Sequence, residues 1–394
     1  NNNTGLRCSW GCSPTIINTV IWGNATGYSG AGDNNPHFTH SLLNEFPSQG
    51  TDGGHNIYSD PLFTDSANQD YSLQNNSPCI GSGLDSTVVP QTDIAGNLRP
   101  NPAGSNPDMG AYESALSHNS LIYVSASGND NGSVGVDSAP FATIQAAIDY
   151  SLTGDTVIVQ PGTYLENISI DGKNITVGSL FLTTLDTSYI TQTIIDGNQN
   201  GTVVTMENGE GPSTIFTGFT IQNGSGISKA GGISIISSSP TLSHLTVKNN
   251  SSSGYTGGGI SCAEYSSPHL KHLNIFDNSG VQGGGIFLLR SSPLLEALDV
   301  INNTASWGGG GIFCNVSSPV IINTIIARNT TLTYRGAGMY CENNSNPQII
   351  NATIAANSCN TADGAMLVCY QASNPIFINS ILTGNFPREL FLSP

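Results

Sequence analysis

Charged residues are scarce in this sequence. Asp, Glu, Lys and Arg make up 9% of the 394 residues, and only 10 residues are Lys or Arg. A typical soluble domain carries about 25% charged residues. The formal net charge is −17, so the chain lacks the basic surface that nucleic-acid phosphates and anionic lipids require. We therefore expect no nucleic acid and no membrane among its partners, and we interpret the acidic excess as a contribution to solubility.

Long apolar runs are missing as well. No run reaches the roughly 18 apolar residues that a membrane-spanning helix needs. No signal peptide is recognisable and residue 1 is Asn, which we interpret as a processed chain or a piece of a longer one. Asn-x-Ser/Thr sequons recur, although Asn-rich turns also produce them by chance. The glycan acceptors considered are Asn24, Asn167, Asn302, Asn329 and Asn351.

The sequence is rich in glycine, with 46 residues, and in Asn, Ser and Thr. Apolar residues are mostly Ile, Val and Leu, which favour strands, whereas Gly, Asn and Ser favour turns. This composition predicts many short strands joined by tight turns.

An internal repeat organises most of the chain. Prolines follow one another at intervals of 25 to 28 residues, and an asparagine stands ten positions after each proline. The prolines are Pro240, Pro268, Pro293, Pro319, Pro347 and Pro375, and the asparagines are Asn250, Asn278, Asn303, Asn329, Asn357 and Asn385. Pro14 and Asn24 obey the same rule. Because Asn tolerates the left-handed turn conformation and stacked amides hydrogen-bond to each other, we expect an asparagine ladder.

A second strand precedes each proline and begins at glycines, as in "GGGIFC". Its inward position is occupied by Ile235, Cys262, Leu288, Cys314, Cys341 and Cys369, and Cys8 holds the same place near the start of the chain. Since cysteine alternates with Ile and Leu here, we interpret it as a small core hydrophobe. Adjacent rungs also lie within disulfide range, so an oxidising compartment could close one neighbouring pair.

A repeat of this length cannot bury its apolar face alone, so the coils must stack as a solenoid. The stretch "PFATIQAAIDYSLTGDTVIVQPGTYLENISI" at 140–170 is similar to the start of right-handed parallel β-helix proteins of the pectate-lyase-like superfamily. The repeats especially resemble bacterial β-helix surface proteins. We predict an all-β, right-handed parallel β-helix solenoid with coils of ~26 residues. A short capping helix is predicted at about 141–150, with Phe141, Ile144 and Ile148 on one face.

The segment at 56–113, with "YSDPLFTD" and "DMGAYES", resembles the closing region of such proteins. We therefore predict three parts: a terminal coil and closing segment at 1–115, a linker and start of the cap at 116–139, and a β-helix body at 140–394 that is open at its C-terminal end. Residues 1–115 would complete a neighbouring module of one chain or a neighbouring subunit, head to tail. The predicted interface residues are Cys8, Pro14, Ile16, Ile21, Cys369, Pro375, Phe377 and Leu382.

Catalytic residues are hard to find in the repeat. Lyases of the superfamily use Lys or Arg, with acids that hold calcium, but Lys248, Lys271 and Arg328 fall in different phases of the repeat. Hydrolases use paired carboxylates, and Asp277 and Asp299 also differ in phase. We predict no catalytic residue.

Metal and sugar sites have little support either. His244 and His272 share a phase but lack a third ligand, so we predict a polar outward ladder and no metal. The loop at 127–138 has oxygens suited to Ca²⁺ but not the closing Glu of an EF-hand, so no cofactor is expected and Ca²⁺ is the weakest alternative. Exposed aromatic residues are predicted at turns and do not share a phase. They are Trp22, Trp307, Tyr255, Tyr265 and Tyr334.

The resulting functional hypothesis is an extracellular or cell-surface structural protein, a module of a fibre built by end-to-end β-helix stacking. A polysaccharide lyase or glycoside hydrolase is the first alternative, since the superfamily includes both. A carbohydrate-binding adhesin is the second. The expected partners are the protein itself and a polysaccharide.

Overall fold

The computed structural model describes residues 4–31, 34–47, 50–131, 133, 135–361 and 366–392. The chain forms two compact units. The first comprises Asn1–Tyr123, Ser127–Ala142 and Asp149–Asp155, and the second comprises Val124–Ala126, Thr143–Ile148 and Thr156–Pro394. None of the helices in the described part of the chain has the length and hydrophobicity needed to span a bilayer.

The first unit begins with short parallel strands that stack as small coils. They are Thr4–Ser9, Thr15–Ile17, Val20–Ile21, Thr26–Ala31, His37–Thr39, Leu42–Leu43 and Thr51–Asp52. Alternating residues point inward, so that Ile16, Ile21, Phe38 and Leu43 form one apolar core. An antiparallel pair, Phe63–Asp65 with Asp70–Leu73, follows after the coils, and Ser66–Asn68 between them is a 3₁₀ turn.

Hydrogen bonds to carboxylates hold the remainder of the first unit, where regular strands are few. Glu113 accepts from the Arg99 Nε at 2.7 Å and from the backbone N–H groups of Asn101 and Asp108. Asp93 accepts from the Glu113 N–H and from Asn97. Burial raises the pKa of Asp93, but these hydrogen bonds outweigh it and bring the pKa to about 2. Most of the predicted linker, 116–123 and 127–139, lies in this unit.

The second unit is a solenoid with three parallel faces. Along each strand of the long face, buried apolar side chains alternate with side chains that point outward and are polar or apolar. Its strands are Thr156–Val159, Gly162–Tyr164, Thr176–Ser179, Thr193–Asp196, Ile215–Thr217, Thr220–Gln222, Thr241–Lys248, His269–Phe276, Leu294–Glu296, Asp299–Ile301, Val320–Ile322, Ile325–Ala327, Gln348–Ile350, Thr353–Ala355, Ile376–Ile378 and Ile381–Thr383.

The cysteine face and the short face complete each coil. The cysteine face consists of Ile168–Ser169, Val204–Met206, Ile233–Ile236, Ile260–Ala263, Ile286–Leu289, Ile312–Asn315, Met339–Glu342, Leu367–Cys369 and Leu390–Leu392. The short face consists of Ser225–Gly226, Ser251–Ser252, Ser279–Gln282, Thr304–Gly308, Thr330–Thr331 and Ser358–Cys359. Strand Leu121–Val124 precedes the solenoid in the chain.

Glycines at the entry of the cysteine face let successive coils approach closely. A Cβ on Gly311 would lie 2.6 Å from the Gly338 carbonyl oxygen and 3.0 Å from the Asn329 amide nitrogen. No side chain fits at such distances, which explains why the glycine recurs at this position in neighbouring coils.

Three helices are present in the described residues: α1 (Ile144–Tyr150), α2 (Phe181–Thr184) and α3 (Ser188–Gln192). Glu166 caps α1, because its carboxylate oxygens accept from the N–H groups of Ile144 and Gln145 at 2.9 and 3.0 Å. The right-handed parallel β-helix with ~26-residue coils and a capping helix is thus confirmed. The helix begins at Ile144 instead of residue 141, and Phe141 is buried just before it.

Candidate functional site

A groove of about 370 Å³ lies on the long face where α3 overhangs three successive coils. Its walls combine histidine, carboxylate, amide and hydroxyl groups with a few apolar side chains. The lining residues are Thr187, Ile190, Thr191, His244, Leu245, Thr246, His272, Asn274, Ala297 and Asp299. This concentration of hydrogen-bonding and titratable groups in one depression makes it the candidate site of the second unit.

Two histidines form the centre of the groove. His244 and His272 occupy corresponding positions of adjacent coils, each in the left-handed conformation with φ of 52° and 54°. Their ring centroids lie 4.9 Å apart, and the ring of Phe181 packs on His244 at 4.5 Å. Burial lowers the pKa of His244, and the nearby charges of His272 and Lys271 lower it further. His244 is therefore held neutral more readily than a free histidine.

A row of polar side chains runs beside the histidines. Thr246, Asn274 and Asp299 are register partners on three consecutive coils and all face the groove. Asp299 thus brings a carboxylate to the coil next to His272. The prediction from phase alone compared Asp299 only with Asp277, and it missed this neighbour.

A cluster of charged and polar side chains lies on the same coils, outside the lining of the groove. Glu296 accepts from the His269 ring nitrogen at 2.9 Å and lies 3.9 Å from the Lys271 ammonium. Lys271 and Glu296 are register partners. From their different phases in the repeat, Lys248, Lys271 and Arg328 were predicted to form no basic cluster. The structure joins Lys271 to histidine and carboxylate instead.

No metal centre accompanies the groove. Within the described ranges, His, Cys, Asp and Glu residues form no group of three arranged to hold a metal ion. In the loop at 127–138, the Asp130 carboxylate accepts from the Ala142 N–H. The structure therefore adds nothing in favour of Ca²⁺ at that loop.

The asparagine ladder runs through the second unit as a buried column. Each Nδ2 donates to the Oδ1 of the next asparagine at 2.9 to 3.1 Å, from Asn250 to Asn385. Each backbone N–H also donates to the same oxygen. At the last rung, Asn385 donates to both carboxylate oxygens of Glu389. In the first unit, Asn24 donates to the Trp22 carbonyl at 3.3 Å.

Three cysteines line up on successive coils of the cysteine face. Cys314, Cys341 and Cys369 are register partners on the cysteine face, and Cys262 pairs with Leu288 there. No disulfide joins Cys314, Cys341 and Cys369, and Cys8 is buried in the first unit. Burial raises the pKa of Cys262 to about 12, as expected for a core thiol.

The prediction that Asn329 accepts a glycan is corrected by the structure. It is fully buried, and its amide nitrogen donates both to Asn357 and to the Val300 carbonyl, so the folded protein leaves no room for a sugar. Asn167, Asn302 and Asn351 are exposed and Asn24 is half-buried. Glycosylation of these four stays a prediction.

The aromatic residues require a second correction. Trp307 and Tyr334 were predicted to be exposed and out of phase, yet both are half-buried and their rings stack at 4.7 Å with 16° between the planes. They cover a buried row formed by Phe287, Phe313 and Tyr340. The signal was present in the sequence, because the position between the two inward residues of the cysteine face changes from Ser to Phe and Tyr in these coils.

The predicted interface residues remain untested as an interface. Cys8, Ile16, Ile21 and Cys369 are buried in their own units. Pro14, Pro375, Phe377 and Leu382 are half-buried.

Part of the chain matches a known family model. Residues 126–284 match the family model described as a protein of unknown function, DUF1565. No curated protein matches the sequence. Solved structures with a similar fold include pectin methylesterase PemA from Erwinia chrysanthemi, with 11% identity and a TM-score of 0.42, covering 70% of this chain and 94% of that chain.

Two further solved structures are similar to this chain. Pectate lyase Pel9A has 14% identity and a TM-score of 0.40, covering 67% of this chain and 79% of its own. Alginate lyase from Paenibacillus sp. str. FPU-7 has 9% identity and a TM-score of 0.37, covering 70% of this chain and 98% of its own. At such identities the likeness concerns the fold alone.

Proposed function

We propose that the protein cleaves glycosidic bonds of a polysaccharide bound in the groove beneath α3. The observation that supports this is the meeting of the His244–His272 pair and the Asp299 carboxylate in one depression. Glycosidic cleavage needs groups that give and take protons beside the scissile bond, and imidazoles and carboxylates do so near neutral pH.

Each groove residue has a role in this proposal. His272 and Asp299 are the acid and base candidates. His244, whose pKa is lowered by burial first, accepts a hydrogen bond as a neutral imidazole. Thr187, Thr246 and other hydroxyl and amide groups of the lining bind sugar hydroxyls. The hydrogen bond between His269 and Glu296 orients the neighbouring coil and stays outside the reaction.

The charge of the molecule favours an uncharged substrate. With a net charge of −17, the protein repels polyuronates. Because a lyase needs a uronate, this argues for a hydrolase acting on a neutral glycan. Such polymers belong to cell walls and extracellular matrices, which is the basis for proposing an extracellular location.

The test uses the intact protein with neutral polysaccharides, polygalacturonate and alginate. New reducing ends reveal cleavage, and ultraviolet absorbance of an unsaturated product separates a lyase from a hydrolase. We expect reducing ends without that absorbance, and a loss of at least about 100-fold in rate for Asp299→Asn or His272→Asn.

The control is Asp277→Asn, since Asp277 is an exposed carboxylate outside the groove. Wild-type protein that releases no reducing ends from any polymer, or groove variants as active as the control, would contradict the proposal.

A second candidate function is a module of a fibre, stacked end to end. In the described residues, strands Thr4–Ser9 and Thr15–Ile17 of the first unit pair on one side only. The same is true of Ile376–Ile378 and Ile381–Thr383 in the second unit, where Ile376 and Ile381 are 52% and 58% exposed. Such edges accept a further parallel coil.

Glu389 prevents the asparagine ladder from continuing into a neighbouring copy. It already satisfies the last amide of the asparagine ladder, so a neighbouring copy would add through strand edges and apolar rows. Electron microscopy of the native protein, with intact mass beside it, should show filaments that Ile381→Lys abolishes and Ile227→Lys leaves intact. Single particles at every concentration would exclude the fibre.

A further inference from the structure

Beyond the groove, the long face continues as a flat and regular surface. We call it the platform and define it as the outward side of segments 320–327, 348–355 and 376–383. These segments contain no Asp, Glu, Lys, Arg or His. The platform is therefore an uncharged area on a protein whose net charge is −17.

A second amide ladder, exposed to solvent, runs along the middle of the platform. The Asn351 Nδ2 donates to the Asn323 Oδ1 at 3.2 Å, and the Asn379 Nδ2 donates to the Asn351 Oδ1 at 2.7 Å. All three residues have φ between 49° and 54°, which turns their side chains to the same side of successive coils. Each amide keeps a second N–H and a second oxygen lone pair for a ligand.

Rows of isoleucine flank this amide ladder. Ile322, Ile350 and Ile378 are register partners on one side, and Ile325, Thr353 and Ile381 are register partners on the other. Ile325, Ile378 and Ile381 are 42%, 48% and 58% exposed. Exposed apolar side chains grouped in this way on one face are a common feature of binding surfaces.

The platform and the groove share the same columns. The column of Asn323 continues through Ala297 to His272, and the column of Ile325 continues through Asp299 to Asn274. A linear ligand that lies in the groove along the solenoid axis therefore also crosses the platform.

We propose that the platform binds successive sugar rings of an uncharged, linear polysaccharide. A sugar ring has apolar C–H faces and polar edges, which match isoleucine rows on either side of an amide ladder. The absence of charge suits a neutral chain, and the repeat of about 4.8 Å between coils offers the same contacts to every ring. The orientation of the chain rests on the function proposed for the groove, whereas binding to the platform does not need catalysis.

The experiment measures retardation of the native protein in gels that contain hydroxyethylcellulose, galactomannan or polygalacturonate. The test variant is Ile325→Asp with Ile381→Asp, which places a carboxylate at each end of the row of Ile325, Thr353 and Ile381. Ile227→Asp is the matched control, because Ile227 is 78% exposed and lies outside the platform.

We expect a neutral polymer to retard the wild-type protein and the control. For the double variant we expect binding weaker by about tenfold or more, since it removes two apolar contacts. The catalytic variant Asp299→Asn should bind the polymer like the wild type. Binding retained in Asp299→Asn without any cleavage by the wild type would sink the hydrolase and leave the platform standing.

Three results would overturn the platform proposal. The first is that no neutral polysaccharide retards the wild-type protein. The second is equal retardation of the double variant and the control. The third is a wild-type dimer in sedimentation equilibrium that Ile325→Asp alone disrupts, because the platform would then be covered by a second copy of the chain.

Discussion

At the scale of single residues, the asparagine ladder shows how a buried polar group becomes stabilising. Asn329 accepts two hydrogen bonds at its Oδ1 from Asn303, and its Nδ2 donates to Asn357 and to the Val300 carbonyl. No polar atom of its amide is left unpaired. Removing it therefore orphans several buried groups in adjacent coils at once.

We expect Asn329→Ala to lower the free energy of unfolding by about 2–4 kcal/mol, because buried partners lose their hydrogen bonds. Chemical denaturation of the whole chain measures it. Asn302→Gly is the control, since Asn302 is exposed and Gly keeps its left-handed backbone. Equal losses for both variants would show that the ladder does not stabilise the coil.

The paired histidines predict a pH dependence. The pKa of His244 is lowered, by burial first and by His272 and Lys271 next, so below about pH 6.5 the unfolded chain binds a proton that the folded chain does not. Stability should then decrease as the pH falls below that value. Phe181, which packs on the ring, carries no charge to oppose this.

We expect His244→Asn to make the stability of the protein less dependent on pH between about 6.5 and 5. Thermal unfolding at several pH values, compared with wild type, measures the difference. Asp277→Asn serves as the control, because Asp277 is exposed and lies outside this stack. An unchanged pH dependence in His244→Asn would refute the assignment.

At the scale of secondary-structure elements, caps are supplied from distant positions of the chain. The first N–H groups of α1 are bound by Glu166, about two solenoid strands later. Carboxylates at this end of a helix accept hydrogen bonds from the free N–H groups and are attracted by the positive end of the helix dipole.

We expect Glu166→Ala to reduce stability by about 1–2 kcal/mol, as the loss of a helix cap does. Asp277→Asn changes an exposed carboxylate and should have almost no effect. Thermal unfolding followed by circular dichroism measures both. A Glu166→Ala protein as stable as the wild type would show that the cap contributes nothing.

At the scale of the whole molecule, a solenoid transmits a disturbance only to the neighbouring coils. In Gly311→Ala the new methyl would meet the Gly338 carbonyl oxygen at 2.6 Å. We expect faster hydrogen exchange in the coils that contain residues 286–342, with unchanged exchange in strands such as Thr156–Val159. Uniformly faster exchange across the second unit would indicate global coupling and contradict a nearest-neighbour description.

Much of the fold was predictable because the repeat marks the start and the turn of each coil. The positions after each proline gave the buried rows and the asparagine ladder, since inward residues recur at fixed distances from one landmark. A buried serine ladder was missed, although Ser266, Ser291 and Ser317 each stand two residues before a proline and bond from coil to coil. Serine is common in turns, so its recurrence before the prolines does not by itself distinguish a buried ladder from ordinary turn residues.

The candidate site was harder to predict for a physical reason. Phase within the repeat identifies residues in one column, whereas a groove is formed by two adjacent columns and by an insertion. His272 and Asp299 lie in neighbouring columns, and the wall formed by α3 comes from 188–192, where the repeat is absent. No periodicity could have placed that helix above those coils.

The ladders also have a consequence for heredity. Since every rung from Asn250 to Asn385 offers an amide and the inward position accepts Ile, Leu or Cys, removing or copying one full period leaves each ladder intact. A gene that gained or lost one whole period would therefore still encode a chain whose coils stack in the same way. The reach of the molecule can therefore change between generations in steps of one coil, without any new contact having to evolve.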